Sequence, residues 1–268
     1  MSVTSIYHWH DNALHALDDF DTTDAIIEAA DSWLVTDGRV LALEAHRARF
    51  MASIERQDFA GLNTAGNAAT GAAAFWDASL AIIPREGDWF PRAELQSRGG
   101  ASRLVFRLRS APERTRSVVV ATWNGQDPRT TPRIKGPDLE SMLRIRTAVQ
   151  PLGAEEAIIL SADGYVVDGA YSALLWWRGE ILCGPSAELD RVDSVTARAV
   201  LTLATALGFD THEEPVTPAE LDGCELWALS ALHGIRIVTQ WLGGPDLAEQ
   251  PGRLATWRAR LEALRKPL

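Results

Sequence analysis

Apolar positions in this chain come in short runs broken by turn residues, with stretches of helical spacing between them. Ile26 to Ala30 and Ser32 to Thr36 read as extended, Asp37-Gly38 supplies a tight turn, and Arg39 to Leu41 returns, which predicts a β-hairpin. From Leu43 the spacing changes, and Leu43, His46, Phe50 and Ile54 fall near one face of a helix. The alanine-rich run Asn63 to Ile83 predicts a second helix, stopped by Pro84. Trp89 to Gln96, Leu104 to Leu108 and Val118 to Trp123 read as strands, with Pro91 suited to an edge. Two helices on one small antiparallel sheet make an α+β lobe.

Asn124 to Pro132 is polar and carries Gly125, Pro128 and Pro132, so residues 126–132 read as a linker between lobes at 1–125 and 133–268. Beyond it, Pro137 suits the first turn of a helix whose stripe Leu139, Met142, Leu143 and Val149 ends at Pro151. Strands are expected at Ala157 to Ser161, at Tyr165 to Trp177 with an interruption around Asp168-Gly169, and at Glu180 to Cys183. Asp193-Ser194-Val195-Thr196 opens a helix that runs to Leu207, with Gly208 as its terminating glycine, and Thr217 with Glu220 has capping-box spacing. Glu225 to Ser230 and Ile235 to Trp241 are strands, and a helix from about Arg253 to Leu264 closes the chain.

Composition narrows the class. At 268 residues the chain is long for one small domain, and two lobes sharing a cleft is the expected organisation. Apolar residues at 46% and charged residues at 23% suit a soluble globular protein, and no run approaches the roughly 18 apolar residues of a membrane span. The N-terminal MSVTSIYHWHDN lacks the basic flank and apolar stretch of a signal peptide, so a cytoplasmic location is expected. Cys183 and Cys224 are too few for a disulfide framework and read as reduced, structural thiols. A net charge of -10 argues against nucleic-acid and anionic-membrane partners while leaving room for a local basic pocket that holds a small anion. His8, His10 and His15 cluster near the N-terminus without further ligands in view, so no metal is expected.

Candidate chemistry starts from the cations. Of the 26 basic residues only Lys135 and Lys266 are lysines. A lysine kept in mid-sequence, just past the linker, is either a solvated loop residue or a reactive amine. An amine can lose its proton when desolvated and attack a carbonyl, which a guanidinium cannot.

The order of the pieces favours the second. DGRVLALEAHRARF, IKGPDLESML, EEAIILSADGYVVDGAYSALLWW, DSVTARAVLTLATALG and ELWALSALHGIRIV follow one another in an arrangement that resembles the class IV, fold-type IV pyridoxal-phosphate enzymes. That family includes branched-chain and D-amino-acid aminotransferases and 4-amino-4-deoxychorismate lyase, and the resemblance runs from roughly Ala25 to Gly243. It implies a two-domain α+β fold with pyridoxal 5'-phosphate between the domains, a homodimer, and a small amine or amino acid as substrate. Lys135 matches the family lysine that forms a Schiff base with the cofactor and then shuttles the substrate proton. Arg49 matches the arginine that grips the cofactor phosphate, Ser194, Val195 and Thr196 the phosphate-binding helix start, and Asp168 the acid that pairs with the pyridine nitrogen. Ser230 falls at the last cofactor-contacting strand end. Arg103, Arg236 and His233 match positions at which relatives contact substrate.

Departures accompany the matches. Asp168 stands where glutamate is usual, Ala173 where asparagine, Ser194 where glycine and Leu229 where threonine, and DDFDTTDAIIEAA replaces a glycine-rich segment. The expected function is therefore transamination or 4-amino-4-deoxychorismate lyase chemistry, with a non-catalytic dimer built on the same scaffold as the alternative.

Overall fold

The computed structural model describes residues 4–17, 24–56 and 68–268. The first five residues of the expected second helix, 63–67, lie outside the described residues, as do 18–23 of the segment that replaces the glycine-rich stretch. The chain divides into two compact units: the first runs to Glu113 and takes in Ile134–Pro137 and Leu264–Leu268, and the second is Arg114–Arg133 with Asp138–Ala263.

In the first unit, β1 (Thr4–His10), β2 (Ala13–Leu17), β3 (Ile26–Ser32), β7 (Arg92–Arg98) and β8 (Ala101–Arg109) form an antiparallel sheet in the order β2-β1-β8-β7-β3. The hairpin of β1 and β2 was not visible as alternation because His8, Trp9, His10 and His15 obscure the apolar period. The expected hairpin at Asp37-Gly38 is present as β4 (Val35–Thr36) and β5 (Arg39–Val40), within a small sheet completed by β6 (Asp88–Trp89) and β17 (Lys266–Pro267). Helices α1 (Leu43–Arg56) and α2 (Ala68–Ala81) cover one face of the larger sheet. Phe50 and Ile54 of α1 and Ala72, Phe75 and Trp76 of α2 are buried with Trp33, Leu95, Leu104 and Phe106, and Trp33 lies 4.6 Å from Trp76 between ring centroids. Each such aromatic contributes on the order of 2–3 kcal/mol by burial.

The second unit carries an eight-stranded mixed sheet in the order β11-β10-β9-β16-β15-β12-β13-β14. Its strands are β9 (Ser117–Thr122), β10 (Glu156–Leu160), β11 (Val166–Gly169), β12 (Ala173–Arg178), β13 (Ile181–Pro185), β14 (Thr211–Glu214), β15 (Glu225–Ser230) and β16 (Gly234–Leu242). Helices α3 (Leu139–Val149), α4 (Val195–Ala206) and α5 (Arg253–Ala263) complete it. The capping box of Thr217 and Glu220 is formed, with Glu220 accepting from the Thr217 amide at 2.8 Å. Trp177 packs edge to face on Phe209, Trp227 and Trp257, with centroids 5.3–5.5 Å apart.

The division differs from the 126–132 linker. β9 pairs in parallel with β10 and β16, so Ser117–Thr122 belongs to the second unit, and Ile134–Pro137 belongs to the first. Local composition marks the polar segment but not these long-range pairings.

Candidate active site

Lys135 is placed by its backbone. Its carbonyl accepts from Ala30 N of β3 at 2.7 Å. Gly136 follows with φ +139, and a Cβ there would stand 2.6 Å from Ala30 N, so the loop is pressed against the strand where only glycine fits. The next residue of β3, Asp31, is 1% exposed and anchors two side chains of α1. Arg49 donates Nε to its Oδ2 at 2.7 Å and NH2 to its Oδ1 at 2.9 Å, and His46 donates Nδ1 to Oδ1 at 2.7 Å. Burial would raise the Asp31 pKa, but Arg49 and His46 outweigh it and hold it at about 2. Burial above all, with Arg49 and Lys135 adding, keeps His46 below its ordinary range despite Asp31. The first unit thus gathers His46 and Arg49 around a carboxylate that the sequence did not single out, with Lys135 near enough to His46 to act on it electrostatically.

In the second unit Asp168 lies on β11 and is 7% exposed. Arg129 NH1 stands 3.7 Å from its Oδ2, while the same guanidinium binds Asp127 through Nε at 2.9 Å and NH2 at 2.7 Å. Burial pulls the Arg129 pKa down, and Asp127, Asp168 and Asp138 together leave it raised. The loop after Asp168 is fixed by buried Glu156, which accepts from Ser172 Oγ at 2.8 Å and from Tyr171 N at 3.2 Å. Burial raises the Glu156 pKa against those hydrogen bonds and Arg236. Arg236, expected at the substrate, is 5% exposed with its guanidinium 3.7 Å from Glu156. His233 Nδ1 accepts from Thr115 N at 3.1 Å, and burial with Arg236, Arg146, Arg258 and Arg114 pushes it down to about 4. Both therefore have partners inside the unit.

Ser194 caps α4, its Oγ accepting from Ala197 N at 3.2 Å, which is why serine serves where a glycine was expected. Val195 and Thr196, each 2% exposed, open the helix, where backbone amides have no acceptor within the helix and favour an anion. Ser230 ends β15, and its Oγ accepts from His233 N at 3.2 Å. Leu229 pairs with Ala173 across β15 and β12 and is 1% exposed, a core position. Arg103, on β8, donates Nε to Gln96 Oε1 at 3.1 Å.

A family model described as amino-transferase class IV matches residues 28–241. The chain belongs to the class IV aminotransferases. The branched-chain-amino-acid aminotransferase of Salmonella typhimurium is 27% identical to it over 106 residues, 39% of this chain, and the match spans only 34% of that enzyme's length. The fold extends further than the sequence match. A hypothetical aminotransferase of Mycobacterium tuberculosis, solved with pyridoxal phosphate bound, superposes with a TM-score of 0.75 at 17% identity over 98% of each chain. A 4-amino-4-deoxychorismate lyase candidate of Legionella pneumophila superposes with a TM-score of 0.72 at 14% identity, covering 91% of this chain and 93% of its own.

The donor chemistry of this class IV member fits a pyridine aldehyde phosphate: one mid-chain amine, a buried carboxylate beside a guanidinium, and a capped helix start. Arg49 fits in a restricted way, because one edge of its fork already binds Asp31. Asp31, Arg129 and Glu156 escaped the sequence reading. Asp31 left a trace, as a charge inside the apolar run Ala29 to Leu34 with His46 and Arg49 three apart on the next helix.

Proposed function

We propose that this protein is a pyridoxal-phosphate-dependent enzyme acting on a small amine or amino acid through Lys135, by amino-group transfer or by elimination. The observation that carries this is Lys135, held by its backbone against β3 beside His46 and Arg49, in a member of the class IV aminotransferases. Bound pyridoxal phosphate supplies an aldehyde that condenses with amines and a ring that takes up an electron pair.

The residues of the chain do the rest. Lys135 holds the cofactor and moves the proton at the substrate carbon, for which a deprotonatable amine is suited. Asp168 would accept a pyridine N–H, and Arg129, with NH1 3.7 Å from its Oδ2, would help hold that carboxylate in place. The amides that open α4 at Val195 and Thr196 are groups that would suit the phosphate, and the Arg49 guanidinium and the Ser230 hydroxyl are the further side chains that would serve it. Arg103 meets a substrate carboxylate. Transfer and elimination share these steps and part in whether a keto acid enters or a leaving group departs. A cytoplasmic homodimer completes the reading, tested by light scattering on the purified protein. Among the described residues no helix is long and apolar enough to cross a membrane.

Family membership favours this over the non-catalytic scaffold. The test is the visible spectrum with added pyridoxal phosphate, then borohydride reduction and peptide mapping. A visible band and a reduced adduct on Lys135, both lost in Lys135→Ala with the fold retained, are expected. No band with excess cofactor would return the scaffold reading.

A further inference from the structure

The five-stranded sheet of the first unit sorts its side chains by alternation. Ala93, Leu95, Leu104, Phe106 and Leu108 enter the core with α1 and α2, so Arg92 and Glu94 of β7 and Arg107 and Arg109 of β8 point to the other face. The register sets Arg92 directly across from Arg107, a like-charge pair that destabilises a sheet unless something neutralises it. Glu94, fully buried, neutralises part: its Oε1 accepts from Arg92 NH2 and, at 2.9 Å, from Arg107 Nε, and its Oε2 accepts from Gln96 at 2.5 Å. Arg109 donates to the Phe90 carbonyl at 3.1 Å and lies 5.2 Å from that ring's centre, with no carboxylate partner among the described residues. Arg92 Nε is buried and meets no acceptor.

Among the described residues, three guanidiniums around one carboxylate leave a surplus of two positive charges, on a cluster in which Arg92 and Arg107 are 22% and 18% exposed. Burial above all, with Arg92 and Arg107 adding against Glu94, pushes Arg109 down to about 10. In a chain of net charge -10, a cationic cluster that the described residues leave with more guanidiniums than carboxylates, at partial burial, carries a cost that an anion would relieve.

We propose that Arg92, Arg107 and Arg109 form a binding subsite for a small dianion, either paired carboxylates or a phosphate monoester. Planar forks held at fixed spacing suit a doubly charged group, and Glu94 with Gln96 fixes the spacing. That this dianion is part of the enzyme's substrate rests on the function proposed above; the binding itself does not.

Calorimetric titration of the full chain, in the presence of saturating pyridoxal phosphate and again without it, separates the two. Succinate, its singly charged analogue butyrate, and methyl phosphate are the probes. A dianion should bind at least about tenfold more tightly than butyrate, and Arg107→Gln should remove that preference while thermal unfolding stays cooperative. Succinate exceeding methyl phosphate identifies paired carboxylates, and the reverse a phosphate monoester. Equal binding of butyrate and both dianions by the wild type overturns the inference without any variant. So does a preference that survives in both Arg107→Gln and Arg92→Gln. If pyridoxal phosphate fails to bind but the dianion preference persists, the enzymatic reading falls and the subsite stands.

Discussion

Asp31→Asn separates the two duties of Arg49. In the wild type the Asp31 pKa lies at about 2 against 3.8, a difference of roughly 2 kcal/mol of stability. Because the folded pKa is depressed, that stability is present above pH 3.8 and is lost as pH falls through about 2. Asparagine keeps one acceptor but leaves the Arg49 fork short of its carboxylate, so the loss should be about 2–4 kcal/mol near neutral pH. At roughly 2–4 °C per kcal/mol the midpoint should drop by about 4–16 °C. Removing the carboxylate also frees one edge of the fork and deletes a negative charge close to the proposed phosphate contact. Cofactor affinity should therefore rise, by about tenfold if one charge-assisted hydrogen bond is gained. Differential scanning calorimetry and spectrophotometric titration with pyridoxal phosphate measure the two effects on one sample. A lower midpoint with unchanged or weaker affinity would make Arg49 a structural clamp and refute its phosphate role. An unchanged midpoint would refute the assigned worth of the buried pair.

Gly136→Ala should lose the Lys135 to Ala30 hydrogen bond, cost about 1–3 kcal/mol and abolish borohydride trapping on Lys135, because its Cβ would stand 2.6 Å from Ala30 N at φ +139; a well-trapped variant would show that the loop tolerates displacement. Asp168→Glu restores the longer side chain, so cofactor affinity or turnover should hold or rise, and a collapse of both in activity and titration assays would count against the ring-nitrogen contact. His233, with its pKa lowered from 6.5 to about 4, stays neutral where the unfolded chain would take up a proton. Its contribution therefore makes stability fall as pH drops from about 6.5 toward 4. Nuclear magnetic resonance titration of its ring should show a midpoint well below 6.5, and His233→Gln should flatten that part of the stability profile.

Much of the fold was legible locally. The period change at Leu43, the Asp37-Gly38 turn, the Thr217 capping box and the helix opened by Ser194 all rest on residues within a turn or two of each other, and each element formed. Lys135 stood out by chemistry, because it is one of two lysines, and the order of five short segments marked the class IV aminotransferases. What the tertiary structure decided involves residues far apart in sequence. Parallel pairing drew β9 into the second unit, and the Ala30 amide together with Ile134 packing on the first core drew Ile134–Pro137 into the first. The partners of the candidate residues were equally invisible: Asp31 for Arg49, Arg129 for Asp168, Glu156 for Arg236. A charge inside an apolar run announces that something must neutralise it, since burying it alone is costly, but only the packing of strand on helix says which residue does.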